Sequence, residues 1–127
     1  MPNYKGIVPY LFYDDAEAAM QWYARVFGFE EIGRWTNADG KIQNAEMRVG
    51  DTELWLDGGG ARPNTDQRLT WIGVWVGDVD AMYTKVQSAG VSCNPPADRP
   101  FGVRILDVPD GMGHRWGFMR RIAPKTA

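Results

Sequence analysis

The sequence predicts an α+β fold made of two tandem β-α-β-β-β modules, and three observations carry that expectation. The first is a pair of amphipathic helices. Ala16, Ala19, Met20, Tyr23 and Phe27 recur at three- and four-residue steps, and Val79, Met82, Tyr83 and Val86 form a second apolar face. The second is their punctuation: Asp14 or Asp15 and then Asp78 can cap the helix starts, and Gly28 and Gly90 end them. The third is an offset near half the chain. Asp15 and Asp78 lie 63 positions apart, and Met20–Met82 and Gly28–Gly90 lie 62 apart, the difference being a shorter second helix. Such an offset is the mark of a duplication. A helix on a four-stranded sheet covers one face and leaves the other bare. Two such modules are expected to form an open, cup-shaped mixed sheet with the helices outside and a ligand space within.

The elements follow in order. Gly6 to Tyr13 is short, apolar and aromatic and reads as a strand, with a ladder donor missing at Pro9. The first helix comes next. Glu30 to Thr36, Lys41 to Val49 and Thr52 to Asp57 read as strands, separated by turns at Asn37-Ala38-Asp39-Gly40 and Gly50-Asp51. Residues 58–64 (GGGARPN) have no apolar pattern and read as a loop. The order then repeats: strand Leu69 to Val76, the second helix, strand Val91 to Pro95, loop Ala97 to Gly102, strand Val103 to Val108, turn Pro109 to Gly113, and strand His114 to Arg120. The chain is thus expected to be one domain over residues 1–127, with repeat one at about 6–57 and repeat two at about 69–120.

Bulk composition narrows the function. At 127 residues the chain suits one domain with a core that needs no disulfide. A net charge of −2 offers no basic field for phosphate backbones, so nucleic acid is not an expected partner; the basic Arg120, Arg121 and Lys125 read as a solvated tail. Cys93 is the single cysteine and can neither pair within the chain nor build a thiolate metal cluster. No leader pattern and no apolar run of spanning length are visible, which points to a cytoplasmic protein rather than a membrane one. Six Trp, five Tyr and five Phe fit a filled core or an aromatic pocket.

Two segments, Asp14 to Phe29 (DDAEAAMQWYARVFGF) and Leu106 to Phe118 (LDVPDGMGHRWGF), resemble the first-helix signature and closing hairpin of the vicinal oxygen chelate superfamily. That group spans glyoxalase-like, bleomycin-resistance-like and extradiol-dioxygenase-like proteins, and the likeness runs from about Gly6 to Arg120. The resemblance implies the cup-shaped fold and, in the enzymes of the family, a divalent metal held by His, Gln or Glu on the opening and closing strands of both repeats. The matching positions here are Val8, then Trp55 with Leu54 and Leu56 as one-residue alternatives, then Trp71 or Leu69, and finally Gly117. None offers a lone pair to a cation. No metal and no cofactor are therefore expected, and no catalytic residue is assigned. A homodimer is implied by the family.

The residues left to line the cup follow from strand alternation. Tyr10 and Phe12 share the face of Val8. Trp71 and Trp75 share a face with Leu69 and Gly73, Trp55 with Glu53 and Asp57, and Arg115 with Gly117 and Met119. Trp116 points the other way, into the core. Tyr10, Phe12, Glu53, Trp55, Asp57, Trp71, Trp75 and Arg115 are thus the candidate ligand-binding set. It suits a planar, partly apolar ligand, cationic if Glu53 and Asp57 pair with it. His114, the only histidine, reads as a turn-fixing residue; Cys93 reads as an unreactive thiol and Ser88 as a helix-end residue. The leading expectation is a metal-free binding protein that sequesters or carries a small molecule. A metal-independent isomerase or lyase using Tyr10, Arg115 or His114 is the alternative, and a metal-dependent lyase or dioxygenase ranks last.

Overall fold

The computed structural model describes residues 2–59 and 70–123. The elements are β1 (Tyr10–Phe12), α1 (Ala16–Val26), β2 (Glu30–Thr36), β3 (Ile42–Val49), β4 (Thr52–Asp57), β5 (Trp71–Trp75), α2 (Val79–Ser88), β6 (Ala97–Arg99), β7 (Val103–Pro109) and β8 (Arg115–Arg121). They build two four-stranded mixed sheets, ordered β1-β4-β3-β2 and β5-β8-β7-β6, neither closed into a barrel. The first strand of each sheet runs parallel to the last, and the remaining pairs are antiparallel. The α+β class and the twofold β-α-β-β-β order are those the sequence predicts. The chain divides into two compact units, Met1–Asn64 and Thr65–Ala127. No helix among the described residues is long and apolar enough to cross a membrane.

The caps are where the sequence puts them. Asp15 accepts the Ala18 N–H at 3.0 Å, Asp78 accepts the Ala81 N–H at 3.0 Å, and Gly28 and Gly90 follow the helices at φ of 79° and 85°. Two stretches differ from expectation. The opening strand is not eight residues but three: pairing starts at the Pro9 carbonyl, which accepts the Trp55 N–H at 2.9 Å, and residues before it join no ladder. The strand expected over Val91 to Pro95 is absent. Pro95 and Pro96 have no N–H to give a ladder, and the strand forms instead at Ala97–Arg99, inside the expected loop. There it pairs with Val103–Ile105 across a tight turn closed by Gly102 N–H to Arg99 O at 3.1 Å. The loop over 60–64, Leu69 and Lys125 lie outside the described residues.

Each helix covers one face of its own sheet. In the first unit Ala19, Tyr23 and Val26 of α1 are buried, as are Ala45, Met47, Leu54 and Leu56 of the strands beneath. In the second, Val79 and Val86 of α2 are buried, with Leu106, Val108, Trp116 and Phe118 of β7 and β8. Arg34 bridges Glu17 and Glu31 at 2.8 and 2.7 Å, and Arg104 bridges Asp80 and Asp98 at 2.8 Å each. These pairs sit in water and stabilise little; burial of the apolar faces decides which side of each sheet the helix covers.

Candidate functional site

In each unit the residues the sequence singles out for ligand binding lie on the sheet face its helix leaves uncovered. In the first unit the register aligns Tyr10 with Trp55, Glu46 and Gly33 in one row, and Phe12 with Asp57, Asn44 and Trp35 in the next. Glu53 pairs with Arg48 beyond them. Paired residues leave a sheet on the same side, so the rows form one aromatic surface edged with carboxylates. Tyr10 meets Trp55 edge-on at 6.1 Å and Phe12 at 6.2 Å. The Trp55 indole donates to Glu53 at 2.9 Å, and Asp57 accepts the Gly59 N–H at 2.9 Å. Burial, with the Asp57 carboxylate beside it, raises the Tyr10 phenol above its ordinary value. The Asn44 amide oxygen is buried and takes no hydrogen bond.

In the second unit Trp71 lies beside Arg115, Gly73 beside Gly117 and Asp107, and Trp75 beside Met119 and Ile105. The two glycines matter because of what they lack. A Cβ on Gly117 would overlap the Trp71 ring, with Cε2 and Cη2 at 2.8 and 2.9 Å; a Cβ on Gly73 would meet the same ring at 3.0 Å and the Met119 methyl at 2.7 Å. The indole of Trp71 therefore lies flat on bare backbone, anchored by its N–H to Asp107 at 3.1 Å. Trp71 and Trp75 are 45% and 59% exposed, against 1% for Trp116, so these two rings are surface and only Trp116 is core. The Arg121 guanidinium stands 5.4 Å from the centre of the Trp75 ring.

All eight candidate residues thus sit on open faces: Tyr10, Phe12, Glu53, Trp55 and Asp57 on the first, Trp71, Trp75 and Arg115 on the second. Sequence reasoning missed Trp35, Asn44 and Glu46 on the first face and Asp107 on the second. The alternation Asn44, Glu46, Arg48 along β3 was the available signal. Two surface depressions lie elsewhere, about 340 Å³ at Asp15 and Lys41 and about 310 Å³ at Ser92 and Cys93, and neither is lined by any of the eight.

The residues singled out for other chemistry have structural work. Asp110 accepts the N–H of Met112 at 2.7 Å, of His114 at 3.1 Å and the Trp116 indole at 3.1 Å, tying the hairpin; His114 is buried within it. Burial pushes the Cys93 thiol up, away from thiolate reactivity. Ser88 is the last residue of α2. The residues present do not fit the family's metal. Val8, Trp55 and Trp71 offer no ligand atom, the alternatives Leu54 and Leu56 are buried on the helix side, and the Trp71 ring fills the place of a side chain at 117. Among the described residues no three His, Cys, Asp or Glu side chains converge to hold a metal ion.

Comparison with known proteins shows the family and the fold. Residues 6–118 match the model of the Glyoxalase/Bleomycin resistance protein/Dioxygenase superfamily. A protein of Mycobacterium tuberculosis is 31% identical over 121 residues, covering 87% of this chain and 71% of its own. The crystal structure of TioX from Micromonospora superposes with a TM-score of 0.78 at 32% identity, covering 92% of this chain and 98% of that one. A bleomycin-binding protein from bleomycin-producing Streptomyces verticillus, complexed with copper(II)-bleomycin, superposes at 0.71 with 25% identity, covering 93% and 97%.

Proposed function

Because this chain belongs to the Glyoxalase/Bleomycin resistance protein/Dioxygenase superfamily, and its matching positions do not fit a metal, we propose that it binds a small, planar, partly apolar molecule without metal and sequesters or carries it. The observation that supports this most is Trp71, a half-exposed ring held flat on glycine backbone and tied at its N–H. A ring fixed in that way needs no reordering before it stacks, and stacking contributes roughly 0.5–1.5 kcal/mol per ring pair beyond area burial. That a neighbour of the same fold is a bleomycin-binding protein is consistent with the reading. The first face, taken by itself, offers the carboxylates of Glu53 and Asp57 to a cationic group. The reducing cytoplasm is the proposed compartment.

Replacing Trp71 or Trp75 by Ala tests the reading. Each change is expected to weaken binding of a planar aromatic probe by about 1–3 kcal/mol in calorimetry, while the melting temperature moves little, since both rings are about half exposed. Added Zn or Ni is expected to leave the affinity unchanged. A large loss of stability with unaltered affinity would sink the proposal.

A metal-independent isomerase or lyase is the second reading, favoured by Tyr10. Burial, and then the Asp57 carboxylate, raise its phenol above the ordinary value, so Tyr10 stays protonated and offers a hydrogen-bond donor to a substrate oxygen. We also propose a homodimer, since large aromatic side chains remain exposed on both faces. Sedimentation at tens of micromolar is expected to give twice the chain mass; a monomer there would remove the dimer from the proposal.

A further inference from the structure

We infer that the open face of the second unit is a stacking site for a planar aromatic acid, with Trp71 as its shelf and Arg115 as its anion partner. This rests on the binding reading above and adds the ligand's charge. By register Arg99, Arg115 and Arg121 share this face with one carboxylate, Asp107. Asp107 is already engaged, accepting the Trp71 indole at 3.1 Å and facing Arg99 at 3.5 Å. Arg121 lies over the Trp75 ring. Arg115 is exposed and forms no ion pair with any described residue. The first unit's open face has the opposite balance. Glu30 there faces Arg48 at 3.5 Å, and Glu46, Glu53 and Asp57 meet no cation among the described residues. A cationic group suits the first face and is repelled by the second.

The geometry supplies the rest of the ligand's description. Trp71 and Arg115 are direct register partners on neighbouring strands, so their side chains rise side by side, about 4.8 Å apart at the backbone. The indole has one face on Gly73 and Gly117 and is 45% exposed. A ring stacked on its outer face carries a coplanar carboxylate toward the Arg115 guanidinium, whose planar fork pairs with two carboxylate oxygens at once. Gly117 then seats the shelf, because a side chain there displaces the Trp71 ring, whereas one at Gly73 meets first the flexible Met119 methyl.

Calorimetric titration of the whole protein with 2-naphthoate, neutral 2-naphthamide and cationic 2-naphthylmethylammonium tests this. The acid is expected to bind about tenfold more tightly than the amide. Arg115→Gln, an exposed change, is expected to lower the affinity for the acid about tenfold, to that of the amide. Gly117→Ala is expected to weaken acid and amide alike by about tenfold, and intrinsic fluorescence reports the displaced indole. An amide or a cation that binds as well as the acid, or a preference that survives Arg115→Gln, overturns the inference while Trp71-dependent binding still upholds the function. If none of the three probes binds, the binding reading itself falls, and this inference with it.

Discussion

Tyr23→Ala is expected to cost about 4 kcal/mol of stability. Tyr23 is wholly buried on α1, stacked on Phe27 at 5.7 Å, tilted against Phe29 at 5.8 Å and edge-on to Tyr13 at 5.9 Å. Its hydroxyl shares a 2.7 Å hydrogen bond with that of Tyr13. Removing the ring forfeits its burial and leaves a cavity among side chains that cannot collapse into it, a change that costs roughly 3–5 kcal/mol for a large aromatic. Tyr23→Phe keeps the ring and loses the hydroxyl bond, and is expected to cost about 1 kcal/mol. Urea unfolding of both variants checks the pair. Equal losses would mean that the hydroxyl, not the ring, holds α1 to its sheet.

Asp110→Ala is expected to cost about 3 kcal/mol and to weaken ligand binding as well. Two backbone N–H groups and one indole N–H converge on this carboxylate, which is 4% exposed. Deleting it strips a partner from three donors in a place where water has little access, and each such loss costs roughly 1–3 kcal/mol before the hairpin relaxes. Asp110→Asn retains the acceptor oxygen that takes the two backbone N–H groups and turns an NH₂ toward the Trp116 indole N–H, so a loss of about half that size is expected. Thermal melts measure the stability. The binding effect follows from position: Asp110 seats the start of β8, and β8 carries Arg115 and Gly117 under the Trp71 ring. Unchanged affinity in folded Asp110→Asn would show that the hairpin does not set the height of the shelf.

This dependence marks what was legible in the sequence. The DVPDGMGHRW run carried a family resemblance, yet its meaning is local: an acid placed so that its oxygens close a turn and hold a tryptophan. Helix caps, helix-ending glycines and strand alternation were legible because each is decided within a few residues. Alternation placed Tyr10, Trp55, Trp71 and Trp75 on one kind of face and Trp116 on the other. What depends on partners distant in the chain was not legible. The flat seating of Trp71 needs Gly117, 46 positions away (117 − 71), and its tie needs Asp107, 36 away. The β6 strand was missed because an apolar Val91 outranks a polar Ala97-Asp98-Arg99 by pattern, whereas ladder donors decide, and the prolines before Ala97 have none.

The parallel pairing at one edge of each sheet has a consequence for how the chain is made. Tyr10 pairs with Trp55 and Trp71 with Arg115, separations of 45 and 44 residues. At a translation rate of roughly 5–20 residues per second, each opening strand leaves the ribosome about 2–9 seconds before its partner exists. Until then its backbone has no neighbour to bond, while α1 or α2 and the following hairpins, which close over short spans, can already form. The segments that bear Tyr10, Phe12, Trp71 and Trp75 are therefore seated last, and during biosynthesis they are sticky aromatic edges of the kind that chaperones shield.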